Sequence, residues 1–288
     1  MSGSFRIPGH KRGPGGVVLN IFSYAALIIM TVLFLIPFYL LVRNALSTQM
    51  DLSSLNWSIF PKDPQWHNFV DLFTSSDIPM ARSLINSAII AVATTLGTLL
   101  ICSMAAYALA RINHPLRNVF FYMILATLMI PTAVTFVPSF IIVSTLGWIS
   151  DFRGLIIPTI FSAFAVFLFR QAFIDFPRDL EEAGRVDGLS HWGVFWRIVL
   201  PNSGSILVAL AVITFIGNWN SFLWPLIVAQ DQSMWTVQVT MATFLTAQTV
   251  NIPLLFAAAV VAVIPLVIIF VVLQRYLVQG VARSGLKG

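Results

Sequence analysis

The sequence is poor in charged residues and in cysteine. Only 9% of its 288 residues are charged and 58% are hydrophobic, whereas soluble domains carry roughly 25% charged residues. Such a chain cannot cover its surface with polar groups, so we predict an integral membrane protein with lipid as its solvent. Cys102 is the single cysteine, and the four histidines show no metal-ligand spacing. We therefore expect no disulfide within the chain, no metal site, no cofactor and no catalytic residue.

Long stretches of the chain lack charge altogether. A helix needs about 20 apolar residues to cross the hydrocarbon, and lipid offers no hydrogen-bond partner to an open backbone. Arg170 is the single charged residue within the windows that satisfy this length. We predict an all-α membrane protein with six transmembrane helices, one in each of these windows: 17–42, 84–109, 118–143, 154–174, 202–228 and 254–274.

Lysine and arginine are divided unevenly between the two sides of these windows. Four lie on one side, and the side with both termini holds the other twelve, which are Arg6, Lys11, Arg12, Arg111, Arg117, Arg170, Arg178, Arg185, Arg197, Arg275, Arg283 and Lys287. Positive charge collects in cytoplasmic loops, so we predict that both termini are cytoplasmic. The net charge of +5 is then a topology signal and gives no support for a nucleic-acid partner.

The same reading divides the chain into a membrane domain and two tails. The glycine-rich residues 1–16 are expected to form a flexible cytoplasmic tail, 17–277 the six-helix domain, and 278–288 a second cytoplasmic tail. The first apolar run is near 26 residues long, whereas the apolar core of a signal peptide has about 7–15. We therefore expect the first helix to be retained.

The cytoplasmic loop 175–201 contains the signals of a helix, a turn and a second helix. Pro177 and the acidic residues that follow it favour a helix start, because they suit the first turn and its positive dipole. Gly188 supplies a helix stop, and Ser190 can cap the next segment. Small residues on one face of the first helix, Ala183 and Gly184, would let the backbone of another protein approach closely.

One sequence pattern in this loop points to a function. It consists of Glu182-Ala183-Gly184, Asp187-Gly188 and then Ile198, Leu200 and Pro201. The pattern resembles the EAA---G---------I-LP signature of ABC-importer permeases, the loop by which the membrane subunit contacts its ATPase. It departs from that signature only at Gly184, where the family usually has Ala.

The resemblance implies a fold and a role for each motif residue. The fold is that of a type I ABC importer permease, also called MetI-like. Glu182 is expected to pair with a basic residue in a cleft of the ATPase, next to Ala183 and Gly184. Asp187 and Gly188 match the Asp-Gly common in the carbohydrate-importer branch. The remaining motif residues are expected to hold the loop against the next span, and they are Ile198, Leu200 and Pro201.

Other segments resemble permeases of the maltose-transporter, MalG-like type. These are Phe169-Arg170-Gln171, Trp219 through Leu226, and Leu273 through Gly280. The resemblance implies a homologous, MalF-like permease subunit, two ATPase subunits that bind ATP and Mg, an extracytoplasmic solute-binding protein, and a bacterial or archaeal cytoplasmic membrane. The chain has no GxxxxGK[ST] phosphate loop, so we expect ATP hydrolysis in another chain.

Two further groups of polar residues are candidates for contacts. The 229–253 loop carries Thr246, Gln248 and Asn251, which the resemblance places against the solute-binding protein; a plain connector between two helices is the alternative. Asn218, Trp219 and Asn220 form the most polar patch of the fifth window and suit sugar hydroxyls. Buried Asn side chains also hydrogen-bond neighbouring helices in membranes, which is the alternative for that patch.

The sequence thus predicts a permease subunit of an ATP-driven, binding-protein-dependent importer. A sugar or oligosaccharide is the expected solute, and a glycerol-phosphate-type importer is the first alternative. A secondary transporter is the other alternative, but ion-coupled carriers usually keep ionisable residues inside the bilayer. Association distinguishes these classes, because an importer permease needs its partner subunits.

Overall fold

The computed structural model describes residues 14–54, 58–75, 78–246 and 251–284, with side chains from 20 to 245 and from 251 to 274 in those ranges. Every regular element in these ranges is helical. The helices are α1 (Pro14–Ala45), α2 (Gln49–Ser53), α3 (His67–Thr74), α4 (Met80–Arg111), α5 (Arg117–Thr127), α6 (Thr132–Thr145), α7 (Phe152–Ile156), α8 (Ala163–Ile174), α9 (Arg178–Val186), α10 (His191–Val194), α11 (Leu200–Asn202), α12 (Gly204–Trp219), α13 (Leu223–Val228), α14 (Val237–Thr246) and α15 (Ile252–Ser284).

Three of the predicted spans are continuous helices. Asn20–Ala45 of α1, Met80–Arg111 and Ile252–Gln274 are each long and apolar enough to cross a membrane. The apolar window of α1 is not buried against the rest of the protein, as expected for a helix that faces lipid. Helix α15 runs on to Ser284, so the predicted start of the second tail at 278 lies within a helix. The first predicted tail, 1–16, is described only from Pro14, where α1 begins.

The other predicted spans are broken. Helices α5 and α6 meet at 96°, and α8 meets the helical segment Phe152–Thr159 at 46°. Pro131 is the N-cap of α6, with φ −59 and ψ 133. A helix is interrupted at this position because proline has no N–H to donate and its ring disfavours helical backbone at the residue before it. Ser162 separates α8 from the preceding turn by accepting a hydrogen bond from Ala165 N. Hydropathy located these spans, but the bends come from capping and proline geometry.

The fifth predicted window, 202–228, is wrong as a single helix. Helix α12 ends at Trp219, and α13 starts after a break at residues 220–222. At its other end α12 meets the segment His191–Asn202 at 78°. With a rise of about 1.5 Å per residue, α12 is too short to cross the hydrocarbon alone. The chain from 191 to 228 is therefore three segments, separated by a 78° bend near residue 203 and by the break at 220–222.

Helix α4 is the centre of the structure and packs against α8 and α12. Its buried face is rich in small polar side chains, which donate hydrogen bonds to backbone carbonyl groups between other helices. Thr98 Oγ1 donates to Ile160 O at 2.6 Å, in the break before α8. Asn86 Nδ2 donates to Ser233 O and Trp235 O at 2.8 and 2.9 Å, in the loop before α14. These hydrogen bonds satisfy backbone groups that a broken helix leaves open in an apolar surrounding.

Candidate coupling site

Helix α9, named here the coupling helix, is the predicted helix of the 175–201 loop. Pro177 lies at its N-cap, and Gly188 has φ +87 just beyond its end. Gly188 N donates to Arg185 O and Leu189 N donates to Gly184 O, both at 3.0 Å. Together these bonds form a Schellman motif, which needs a left-handed residue that glycine supplies without strain. The predicted helix and its stop are confirmed.

The second half of the loop is built into the protein core. Ser190 caps α10 by accepting a hydrogen bond from Gly193 N at 3.3 Å, as predicted. Residues Phe195–Val199 then form a π-helical turn. Phe195 is buried, with its ring centroid 5.2 Å from that of Tyr107 on α4. This half of the loop is therefore a fixed base for the coupling helix.

Gly184 lies inside this base and does not face outward. It is buried, and a Cβ atom at this position would lie 2.3 Å from Cδ1 of Ile198. The sequence interpretation placed Gly184 with Ala183 on the face open to another protein. The structure corrects this, because the close approach that the small residue permits is made by the chain's own Ile198. Ala183, by contrast, is exposed.

A buried ion pair fastens the coupling helix to α4. Arg111 Nε lies 2.9 Å from Glu181 Oε1, and the two side chains are 7% and 11% exposed. Arg111 also donates from Nη2 to the carbonyl oxygen of Phe176, next to the start of the coupling helix. Burial raises the pKa of Glu181, and the positive charge of Arg111 opposes that rise. The pair holds the first turn of the coupling helix against the last turn of α4.

The sequence did not identify this pair. In the sequence, Glu181 is one of the acidic residues that favour the start of the helix, and Arg111 is one of the twelve cations that indicate the topology. The resemblance gives the contact with the ATPase to Glu182. Glu181 and Glu182 are adjacent on a helix and point about 100° apart, so one can be buried while the other is exposed. The two neighbouring glutamates are visible in the sequence, but Arg111, the partner of Glu181, is 70 positions away in the chain.

Glu182 is exposed and borders a cavity of about 400 Å³ between the coupling helix and the Ala110–Arg117 turn. Four arginines and two glutamates line this cavity, so its charge is positive. Arg185 Nη1 lies 2.6 Å from Nε2 of His191 on its wall. An acidic group of another molecule would be attracted to this cavity, and the predicted pairing of Glu182 with a basic residue stays a prediction.

The remaining motif residues lie on or beneath the coupling helix. Asp187 is exposed at its C-cap. Leu180 and Val186 add an apolar surface, with 49% and 88% of their areas exposed. The motif residues of the second half are half-buried or exposed around α11, and they are Ile198, Leu200 and Pro201. The structure thus presents an open helix face above a packed base.

The three residues of the polar patch in the fifth window make different contacts. Trp219 is 2% exposed, and its Nε1 donates to Ala262 O of α15 at 3.0 Å. It joins α12 to α15, and its indole N–H is not open to a solute in this conformation. Asn218 Nδ2 donates to Thr214 O at 2.8 Å, within its own helix. Asn220 is exposed, and its Oδ1 accepts from Gln238 Nε2 at 3.3 Å.

The external-loop candidates are only partly within the described residues. Asn251 is exposed, and its Oδ1 accepts from Leu254 N at 3.1 Å, which caps the start of α15. Gln248 and the side chain of Thr246 lie outside the described residues. The first part of this loop forms α14, which is fixed to α4 by a 2.6 Å hydrogen bond between Ser83 and Thr240. In the described ranges no three acidic, histidine or cysteine side chains are close enough to hold a metal ion.

Comparisons with known proteins agree with this architecture. Residues 97–283 match the family described as "Binding-protein-dependent transport system inner membrane component". The chain is 34% identical over 274 residues to the sn-glycerol-3-phosphate transport system permease protein UgpE of Yersinia pestis bv. Antiqua (strain Antiqua), covering 92% of this chain and 97% of that protein. It is 33% identical over 261 residues to the arabinooligosaccharides transport system permease protein AraQ of Bacillus subtilis (strain 168), covering 90% and 92%.

A solved structure has the same fold. It belongs to a bacterial ABC transporter involved in the import of the acidic polysaccharide alginate. The matched chain superposes with a TM-score of 0.79 at 20% sequence identity, over 92% of this chain and 98% of that one. The fold is therefore the type I, MetI-like importer fold. This chain belongs to the family of binding-protein-dependent transport system inner membrane components, the multi-pass permeases of ABC importers.

Proposed function

We propose that this chain is one of two permease subunits of an ATP-driven importer for a sugar or oligosaccharide. Its partners would be a homologous, MalF-like permease, two ATPase subunits that bind ATP and Mg, and an extracytoplasmic solute-binding protein. Both termini and the 175–201 loop lie in the cytoplasm of a bacterium or archaeon. The twelve-to-four distribution of Lys and Arg supports this orientation.

The proposed contact with the ATPase rests on the exposed face of the coupling helix. Its outward face exposes Leu180, Ala183 and Val186 together with Glu182 and Asp187. An apolar centre with charged neighbours is typical of a surface that becomes buried against another protein. The opposite face is fixed by the Arg111–Glu181 ion pair, so a push on the helix would be transmitted to α4.

Helix α4 would carry that movement across the membrane. One end holds the coupling helix, and the other holds the loop before α14 through Asn86 and through Ser87, whose Oγ accepts from Val237 N at 2.9 Å. A single helix thus connects the ATPase side with the side of the solute-binding protein. Closure of the ATPase dimer would rotate this permease against its partner and switch the face on which the pathway opens.

A sugar is supported by the uncharged amides beside α12. Asn220 and Gln238 face each other at 3.3 Å, and amide groups pair well with hydroxyl groups. The relative from Bacillus subtilis is named for arabinooligosaccharides. Glycerol phosphate is the second candidate, because the relative from Yersinia pestis is named for it and matches nearly the whole chain.

The solute can be identified through the cognate solute-binding protein. A panel of oligosaccharides and glycerol phosphates would be screened for the compound that raises its melting temperature, and that compound would then be tested for uptake by cells with and without this chain. A sugar that passes both tests supports the main proposal. Glycerol 3-phosphate as the compound that passes both would replace the sugar, and uptake independent of the chain would contradict the permease role.

The 229–253 loop is proposed as the contact for the solute-binding protein, through Thr246, Gln248 and Asn251. Replacing 246–251 with Gly and Ser should weaken stimulation of ATPase activity by the loaded solute-binding protein, while the complex still assembles. Because Asn251 caps α15, a variant that keeps Asn251 and replaces only 246–250 separates the contact from the cap. Unchanged stimulation in both variants would leave the loop as a connector.

A further inference from the structure

Arg170 lies in a position that the coupling role does not explain. It is one turn from the end of α8, within a predicted span. Its Cζ lies 3.9 Å from the ring centroid of Phe121 on α5, so one face of the guanidinium rests on an aromatic ring. Its Nε is buried and has no hydrogen-bond partner. A charged group in this state is costly near lipid unless an anion is close to it.

A second cation lies on the neighbouring helix. Arg117 begins α5, which packs against α8, and it precedes Phe121 by four residues, so both side chains lie on the same face of α5. Neither arginine forms an ion pair with a carboxylate in the part of the chain that the structure describes. Two like charges therefore lie on two packed helices without a carboxylate partner in the described residues.

The surroundings of these arginines are aromatic and open toward lipid. Phe121, the ring beneath Arg170, is buried and stacks on Phe167 with 6.4 Å between the ring centroids. Tyr122, the next residue, is 66% exposed, and its ring is 5.8 Å from that of Phe121. Tyrosine is common at the boundary between hydrocarbon and headgroups, where its ring and hydroxyl meet different surroundings. Tyr122 therefore indicates headgroup depth for this part of α5, with an apolar wall next to it.

We propose that the cleft between the start of α5 and the end of α8 binds the phosphate of an anionic phospholipid from the cytoplasmic leaflet, with Arg117 and Arg170 as its ligands. Basic clefts between membrane helices on this side suit such headgroups. The acyl chains would lie along the exposed side of α5 near Tyr122. A lipid is favoured over a soluble anion because Arg170 lies within the span and its neighbours are apolar.

The site is next to the coupling site. Arg117 also borders the positively charged cavity beside the coupling helix. A bound phosphate would neutralise part of that charge and hold Arg117 in place. Membrane composition would then influence the position of the coupling helix through the bound phosphate, which contacts neither the solute nor the ATPase.

The test counts bound lipids on the full-length chain, co-purified with its transporter subunits in a neutral detergent. The complex is mixed with equal mole fractions of dioleoyl phosphatidylglycerol and dioleoyl phosphatidylcholine, and bound lipids are identified by native mass spectrometry. We expect phosphatidylglycerol to be retained preferentially. Arg117→Gln and Arg170→Gln should each lower its occupancy about fivefold, the size expected for one arginine near an anionic headgroup.

Matched variants keep the test decisive. Arg117→Lys and Arg170→Lys retain the charge and should retain most of the bound phosphatidylglycerol, which distinguishes loss of charge from loss of packing. Arg197→Gln removes an exposed charge at the same end of the protein and should bind as the unmodified chain does. If Arg170→Gln does not fold, Arg117→Gln alone still tests the site.

Three results would overturn the proposal. The first is unchanged phosphatidylglycerol occupancy in Arg117→Gln, or an equal loss in Arg197→Gln. The second is displacement of the lipid by soluble glycerol phosphate in molar excess, which would make the site one for a soluble anion. The third is loss of the ATPase from the Arg117→Gln complex with lipid binding unchanged, which would make Arg117 a contact for an acidic side chain of that subunit.

Discussion

Arg111 Nε lies 2.9 Å from Glu181 Oε1, and this buried contact joins the last turn of α4 to the first turn of the coupling helix. Without it, the coupling helix would be joined to the membrane helices mainly through chain connections and through the Gly184–Ile198 contact. We therefore expect the pair to be a direct path by which force on the coupling helix reaches α4.

Breaking this pair from the arginine side should be costly. Arg111→Ala leaves Glu181 buried without its cation, and loss of one partner of a buried pair costs about 3–5 kcal/mol. Glu181→Gln should cost less, because it buries no unpaired carboxylate and Arg111 still donates to the carbonyl oxygen of Phe176. Thermal unfolding of the purified protein checks both, with the exposed Arg197→Ala as control. Equal stability of Arg111→Ala and the control would contradict a structural role for the pair.

The same pair predicts a dependence on pH. Burial raises the pKa of Glu181 above its ordinary value, so the folded state holds the proton more tightly than the unfolded state. The stability from this group is thus full below the ordinary glutamate pKa and is lost as pH rises through the raised value. Arg111→Ala removes the opposing charge and should enlarge that loss as pH rises above the ordinary glutamate pKa of about 4.3. The melting temperature should fall more steeply with pH in Arg111→Ala than in Glu181→Gln; parallel curves would argue against it.

The sequence predicted the class of the fold and the ends of the coupling helix more accurately than the course of the spans. Gly188 and Ser190 act through local geometry, which a short segment determines by itself. The break after Trp219 was missed because a hydropathy window averages over it. The burial of Glu181 and Gly184 was missed because it depends on Arg111 and on Ile198, which a π-helical turn brings back over the coupling helix.

Gly184→Ala should be destabilising by steric overlap with Ile198. The new Cβ would lie 2.3 Å from Ile198 Cδ1, and overpacking of this kind costs about 1–3 kcal/mol. Ile198→Val removes that Cδ1 atom, so Gly184→Ala/Ile198→Val should be more stable than Gly184→Ala alone. Melting temperatures of both single variants and the double variant check this. Strictly additive effects would show that the two residues are not in contact.

Substitutions at Gly188 should rank by backbone conformation. Its φ is +87, and an added Cβ would meet nothing within 4 Å. Gly188→Ala should therefore cost only the left-handed strain of about 1–2 kcal/mol, and Gly188→Asn less. Gly188→Pro cannot adopt this φ and also loses the hydrogen bond to Arg185 O. Solute uptake and melting temperature should both fall in the order Asn, Ala, Pro; an equal effect of all three would contradict the Schellman motif.

The proposed orientation can be tested by labelling single cysteines in intact cells. Lys62→Cys and Gln230→Cys are at exposed positions that the proposed orientation places outside, so they should react with a membrane-impermeant maleimide. His114→Cys is exposed at a position that the proposed orientation places in the cytoplasm, so it should react only after the cells are opened. Native Cys102 is fully buried, so the unmodified chain serves as the background. Labelling of His114→Cys in intact cells would reverse the orientation.

The most direct test of the central claim is reversal of the charge at Glu182, which is exposed on the coupling helix. Asp71→Lys makes the same change at an exposed position on α3, on the opposite side of the protein, and is the matched control. The measurement is recovery of the ATPase with the tagged permease, together with solute uptake. Glu182→Lys should leave the protein folded and inserted but lose most of the recovered ATPase and abolish uptake, while Asp71→Lys keeps both. Recovery and uptake at the level of the unmodified chain in Glu182→Lys would contradict the assignment of this helix as the ATPase contact.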